Sequence, residues 1–171
     1  MKPNKIFFQS PKTTILLVES GKYGKHLIVI DTEDYDKIKN YRWSVLPRGN
    51  TFYARSTIYQ NRKKINLKLH RLILNYKNPL VIDHKNHNGL DNRKSNLRIC
   101  TQSQNSQNQV VKASGFKGIS WHIRKKKWIA RIFVNKKLLH LGYHTQPELA
   151  AAVYNQAAIK YYGEFALLNK I

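Results

Sequence analysis

The chain has 171 residues, with 31 Lys and Arg against 9 Asp and Glu and a formal net charge of +22 at pH 7. That length holds one compact domain or two small ones, and a hydrophobic fraction of 42% supplies modest cores, which excludes wholesale disorder. Charge of this size opposes compaction and attracts polyanions. Basic residues run from Lys2 to Lys170 and interleave with aromatics, as in Tyr53-Ala54-Arg55, so we expect an extended nucleic-acid-contacting surface rather than one basic tail. On charge alone, a ribosome-associated or merely solubilised basic protein stays open. Cys100 is the sole cysteine, so no intrachain disulfide and no cysteine-rich zinc module can form. The N-terminal stretch lacks a continuous apolar run, and no segment approaches the roughly 18–20 apolar residues of a membrane span. The expectation is a cytoplasmic protein with no membrane partner and no obligate protein partner.

Residues 1–75 read as a β-rich platform with one short helix. Thr14–Val18 and His26–Ile30 are apolar, β-branched runs separated by the turn residues 19–24. Thr32–Lys39 carries acidic residues in its first turn, which suits a helix N-terminus. Strands are predicted over Tyr41–Leu46 and Phe52–Tyr59, joined by a hairpin turn at 47–50. Asn61–Lys64 would be a further turn into Ile65–Leu69. No chemistry is visible here, and the segment is expected to support the rest and contact DNA.

Residues 76–109 hold the densest polar chemistry. Ile82-Asp83-His84 ends a short apolar strand that begins at Leu80. A Gly- and Asn-rich loop follows, and Asn96-Leu97-Arg98-Ile99-Cys100 suggests a returning strand. Thr101-Gln-Ser-Gln104 has a capping-box pattern, so a helix is predicted from Thr101, with Asn105 on a face that can point back at the hairpin. Arg98 alternates with Leu97 and Ile99, which sets it away from their apolar side and makes it available to a phosphate. His70 lies in an apolar run and reads as a structural histidine, and His87 as a solvated loop residue.

Asp83-His84, Asn96-Leu97-Arg98 and Asn105, with the upstream Leu69-His70-Arg71-Leu72, make this stretch resemble the His-Asn-His (HNH) nuclease family. It looks most like the asparagine-rich branch of phage and intron-encoded homing endonucleases. The resemblance implies a ββα-metal nuclease module acting on DNA, with Asn105 in the place of the family's final histidine. The residue chemistry agrees. A neutral His84 with an ordinary pKa near 6.5 can take a proton as general base. Asp83 and Asn105 offer hard oxygen ligands suited to one Mg²⁺ or Mn²⁺ per site, which keeps waters and takes phosphate oxygens. By the resemblance, Asn96 joins His84 as a catalytic residue by bracing the loop.

After an expected linker at 110–114, residues 115–171 read as three strands and a helix. The strands are expected over Phe116–Arg124, Lys127–Val134 and Leu138–Gly142; Thr145 would cap the helix, which would run through Leu149–Tyr162 to Gly163. Gly118-Ile-Ser-Trp-His122, Trp128-Ile-Ala-Arg-Ile132, Leu139-His-Leu-Gly142 and Tyr162-Gly-Glu-Phe-Ala166 resemble the APETALA2/ethylene-response-factor DNA-binding domain. That resemblance implies a sheet laid in the DNA major groove, with contact positions at Lys117, Ser120, His122, Arg131, Phe133, Leu138 and His140. Strand parity puts Ile119, Trp121, Ile123, Trp128, Ala130, Ile132, Val134, Leu139 and Leu141 on an apolar face, against Leu149, Val153 and Ala157. Arg124, Lys127 and Arg131 fall on the other face, where they can meet phosphates or guanine edges.

The fold class expected is therefore α+β: a small β-rich N-terminal region, the ββα-metal module at 76–109, and a three-stranded antiparallel sheet packed on one helix. The function expected is a site-directed DNA endonuclease of the homing type that nicks double-stranded DNA as a monomer and is phage- or mobile-element-encoded. A non-catalytic, sequence-specific DNA-binding regulator with a decayed nuclease module is the rival reading, and an RNA-directed protein a second.

Overall fold

The structure is a computed structural model that describes residues 4–110 and 115–171; most of the expected linker at 110–114 therefore lies outside the described residues. Contacts gather the chain into two units, 1–101 and 102–171. The Asp83-His84 hairpin belongs to the first, together with the N-terminal strands. The following helix belongs to the second.

In the first unit, β1 (Lys5–Gln9), β2 (Thr13–Ser20) and β3 (Gly24–Asp31) form an antiparallel sheet in that order. Alternation is clear in β2, where Thr14, Leu16 and Val18 are buried. Strand β1 was not expected from the sequence. A register shift between Ile6 and Phe8 interrupts its period of two and leaves Phe7 and Phe8 exposed. The helix expected at 32–39 begins as a 3-10 turn, Thr32–Asp34, and continues as α1 (Tyr35–Ile38). A second sheet follows, of β4 (Ser44–Arg48), β5 (Thr51–Gln60) and β6 (Lys63–Lys68). The β5–β6 hairpin turns on Asn61 and Arg62, both at positive φ, the backbone a two-residue turn requires. Next come α2 (Leu69–Ile73) and the two-stranded hairpin of β7 (Val81–His84) and β8 (Leu97–Cys100). One core unites these elements, with Leu16, Ile28, Ile30, Ile38, Trp43, Leu69, Ile82 and Leu97 among its buried members.

The second unit opens with α3 (Gln102–Gln107). Strands β9 (Ile119–His122), β10 (Lys127–Val134) and β11 (Lys137–His144) then form an antiparallel sheet with β10 central, against which α4 (Pro147–Tyr162) packs. The three-stranded sheet on one helix matches expectation, while several details do not. Strand β9 is short, ending at His122, and α4 lies mainly over β10 and β11; Trp121 is accordingly 48% exposed instead of packed under the helix, and Ile123, which falls in the β9–β10 turn, is 80% exposed. Arg124 lies in the β9–β10 turn and not on a strand. The helix buries Ala150, Ala151, Tyr154, Ala157 and Ala158, and Leu149 is exposed. The N-cap is Gln146, with no side-chain capping bond, and Thr145 is not the cap, because Pro147 already fixes the first helical turn. Finally, β11 carries a bulge. Its register moves from His140 opposite Arg131 to Gly142 opposite Ala130, leaving Leu141 as the extra residue. That resets parity and brings Tyr143 to the face of His140.

Candidate active site

The hairpin β7–β8 pairs Asp83 with Arg98 and His84 with Leu97. Its connecting loop, 85–96, is bolted to the N-terminal sheets. The Val29 amide donates to the Leu90 carbonyl at 2.9 Å, and the Asn92 amide to the Val29 carbonyl at 2.7 Å, a short parallel extension of β3. The Gly89 amide donates to Thr51 Oγ1 at 3.0 Å. A Cβ on Gly89 would lie 2.4 Å from the Phe52 carbonyl oxygen, so only glycine allows this approach. The Lys94 amide donates to Asp31 Oδ2 at 2.7 Å.

Asn96 staples the loop internally. Its Oδ1 accepts from the Asn86 amide at 3.0 Å, its Nδ2 donates to Asn86 Oδ1 at 3.0 Å and to the Asp91 carbonyl at 2.8 Å, and its own carbonyl accepts from the Lys85 amide at 2.9 Å. Asp91 is locked beside it by Arg93, with contacts of 2.8 and 2.7 Å. Those bonds hold the Asp91 carboxyl below the usual carboxylate range.

His84 is 3% exposed. Its Nε2 faces Asn92 Oδ1 at 3.4 Å, and Asn92 Nδ2 turns to the Gly89 carbonyl at 3.5 Å. An amide oxygen only accepts, so this pairing puts the proton on Nε2 and the basic lone pair on Nδ1. Burial lowers the pKa of His84, opposed by the Asn92 hydrogen bond and the Asp83 and Asp91 charges. The ring is therefore neutral at neutral pH, the form a general base needs. Two aromatic neighbours hold its plane edge-on: Tyr53 from β5, with centroids 5.5 Å apart, and His70 from α2 at 5.4 Å. Burial raises the pKa of the Tyr53 hydroxyl, which stays neutral. Neither Tyr53 nor Asn92 was expected beside His84 from the sequence. Nothing local marks Asn92 among its loop asparagines, and Tyr53 arrives from a strand thirty-one positions earlier in the chain than His84.

Arg98 corrects an expectation. Its Nε and Nη2 both donate to Asp83 Oδ2, at 2.9 and 2.7 Å, and its side chain is only 10% exposed. It is an ion-pair partner of the carboxylate and not a surface group offered to a phosphate. Parity placed it opposite Leu97 correctly, but the face assigned to solvent is covered too, since Asp83 and Cys100 on it are buried.

His70 is 7% exposed, with Nδ1 buried and without a hydrogen-bond partner among the described residues. Burial, then the charges of His84, Lys68, Arg71 and Arg48, depress its pKa to about 3 from 6.5. Between those values the unfolded chain binds a proton that the folded chain refuses, so stability is complete above pH 6.5 and is lost as pH falls toward 3, at up to about 1.4 kcal/mol per pH unit. Substituting His70→Phe keeps a flat ring and removes the titration. Urea unfolding at about pH 7.5 and pH 5 should then show a smaller acid-induced loss in the variant. Parallel losses in the two proteins would refute this account of His70.

In the second unit, the residues expected at DNA divide. Lys127, His140, Phe133 and Leu138 are exposed on one sheet face, the last two at 57% and 58%. Arg131 Nη2 donates to Ser120 Oγ at 2.8 Å, so two expected contacts brace each other. The bulge adds Tyr143, which lies 5.2 Å from the His122 ring and 4.6 Å from the His140 ring, with Lys125 Nζ 4.2 Å above it. The signal was Gly142, since glycine inside a strand often marks a bulge. Lys117 departs from expectation: its ammonium donates to the carbonyls of Ser106, Gln107 and Gln109, and burial lowers its pKa to about 8.

No group of three or more His, Cys, Asp or Glu that could hold a metal occurs among the described residues. The hard oxygen that the hairpin offers is the Asp83 carboxylate, one of whose oxygens is held by Arg98; Asn105 lies on α3, in the second unit. Hard, sparse donors of this kind fit a divalent ion completed by water and a phosphate oxygen, not a dedicated protein cage. No helix among the described residues is long and apolar enough to cross a membrane.

Comparison with known proteins adds three findings. Residues 67–107 match the family model described as HNH endonuclease. Over 136 residues, 76% of this chain and 72% of the relative, the chain is 32% identical to an uncharacterized HNH endonuclease, L560, of Acanthamoeba polyphaga mimivirus. A solved structure titled as DNA binding and cleavage by the HNH homing endonuclease I-HmuI aligns at 26% identity with a TM-score of 0.35. That alignment covers 54% of this chain and 56% of the solved one, so the chain spans little more than half of that protein's length.

Proposed function

This chain belongs to the HNH endonuclease family, and from that premise we propose that it is a divalent-metal-dependent, site-directed endonuclease that hydrolyses phosphodiester bonds of double-stranded DNA. The observation that carries the reading is His84: a neutral imidazole, fixed in one tautomer by Asn92 and in one plane by Tyr53 and His70, beside the Asp83 carboxylate. In this reading His84 takes the proton of the attacking water. Asp83 and Asn105 are the metal ligands, and Asn105 falls within the span matched by the family model. The bound ion, Mg²⁺ or Mn²⁺, would supply charge stabilisation at phosphorus and at the departing oxygen. Asn96 holds the loop that begins directly after His84. Arg98, through its two contacts to Oδ2, aims the Asp83 carboxylate.

The C-terminal sheet is the proposed DNA-reading element, used in the manner of the APETALA2-type domain it resembles. Lys127, Arg131, His122, His140, Phe133 and Leu138 share its basic face, with Arg124 in the adjoining turn, and Tyr143 joins them. The net charge of +22 supplies the sequence-independent share of affinity. One catalytic centre per chain makes the product of a monomer a nick, and the homing role is part of the proposal.

Supercoiled plasmid incubated with Mg²⁺, with Mn²⁺ or with EDTA tests this. Open circles should accumulate first with either ion, and EDTA should abolish them. Binding without cleavage under both ions would overturn the enzyme in favour of a non-catalytic DNA-binding protein. Faster attack on structured RNA than on duplex DNA would overturn the substrate.

A further inference from the structure

We infer that Lys117 is a positioning residue for the cleavage reaction, whose ammonium clasps the carbonyl end of α3 and so holds the helix that carries Asn105. The inference rests on the proposed role of Asn105 as a metal ligand; the clasp itself is argued from the second unit alone.

Helix α3 is six residues long and buries none of them. A helix this short is marginal without outside support, and its last carbonyls have no partner within it. Lys117 Nζ donates to three carbonyls at that end: Ser106 at 3.4 Å, Gln107, and Gln109 at 2.9 Å. An ammonium has three donors to distribute, and a positive charge at a helix C-terminus also meets the favourable end of the dipole.

The backbone of Lys117 is itself anchored. Its amide donates to Asn169 Oδ1 at 2.6 Å, and its carbonyl accepts from Asn169 Nδ2 at 3.1 Å. Asn169 is in turn tied to Asn155 of α4 by bonds of 2.9 and 2.7 Å. A continuous set of hydrogen bonds thus runs from α4 through Asn169 and Lys117 to α3. A lysine serving as a phosphate contact would keep its ammonium in water, whereas this one is spent on carbonyls.

The test compares Lys117→Met and Lys117→Arg with Arg131→Ala. Hydrogen exchange at the Asn108 and Gln109 amides, which bond back into α3, should quicken about tenfold in Lys117→Met while the sheet is unchanged. Turnover on bound plasmid should fall, and the Mg²⁺ concentration for half-maximal nicking should rise, each about tenfold, with DNA affinity within about twofold of wild type. Arginine should restore part of both. Arg131→Ala should instead weaken DNA binding. Unchanged exchange, or a loss of affinity like that of Arg131→Ala with turnover intact, would overturn the inference. Should the methionine variant fail to fold, Lys117→Gln is read in the same way. If the wild type cleaves nothing with any metal, the role of Asn105 falls, and the catalytic part of this inference with it; the exchange data still decide the clasp.

Discussion

Replacing His84 by alanine is expected to lower metal-dependent DNA nicking by about 10²–10⁴-fold, the range for loss of a general base, with DNA affinity nearly unchanged. The imidazole is nearly enclosed, so removing it deletes a proton acceptor and not an exposed contact to DNA. Asn92→Ala is a second arm of the same prediction. It leaves the imidazole in place and removes the oxygen that assigns the Nε2 proton, so turnover should fall by less than in His84→Ala. The pH dependence has a defined sign. Burial depresses the His84 pKa, so nicking by the wild type should be at its plateau at and above the ordinary histidine value and decline only at lower pH. Single-turnover nicking across pH, with binding measured separately, reads all three. Residual nicking by His84→Ala within a few-fold of wild type would remove the imidazole from the mechanism, and weakened binding alone would recast it as a DNA contact.

What the sequence disclosed, and what it hid, follows the range of the interactions. Local alternation was enough for β2, β3 and β5, because one face of each packs on a shared core. The Asp83-His84 hairpin was legible because its residues lie within one short stretch. Its immediate surroundings were not. Tyr53 and His70 reach His84 from β5 and α2, and no local pattern announces a contact made across the chain. Arg98 shows the limit of parity: alternation reports which side of a strand a residue takes, not whether that side is covered. Trp121 failed for the same reason, since the helix covers β10 and β11 more than β9, and Ile123 failed because the strand ends before it. Tyr143 was hidden by one inserted residue, and only Gly142 hinted at it. Lys117 read as a DNA contact in a chain with 31 basic side chains, because its partners are backbone carbonyls, of Ser106, Gln107 and Gln109, which no side-chain pattern marks.

A single methyl group at Gly118 is expected to unfold the second unit. Gly118 sits at φ +75°, and a Cβ there would lie 2.3 Å from two ring carbons of Tyr154 and 2.6 Å from the Arg131 carbonyl oxygen. Neither neighbour can retreat. Tyr154 is 2% exposed within the alanine-lined core of the second unit, and Arg131 lies on the central strand, with its amide bonded to the Gly118 carbonyl at 2.9 Å. The left-handed backbone costs alanine about 1–2 kcal/mol and the overpacking typically about 1–3 more. A sum near 3 kcal/mol is a large share of the stability of a small unit. Gly118→Ala should therefore lose protection from hydrogen exchange across β9, β10 and α4, and lose sequence-directed binding, while Ile28, Ile30 and Trp43 in the first unit stay protected. The double variant Gly118→Ala/Tyr154→Ala separates the two causes. Removing the ring relieves the clash but not the backbone strain, so the alanine at 118 should cost less there than in the wild-type background. Equal costs in both backgrounds would assign the whole effect to the backbone, and a Gly118→Ala protein as stable as wild type would refute the close approach itself.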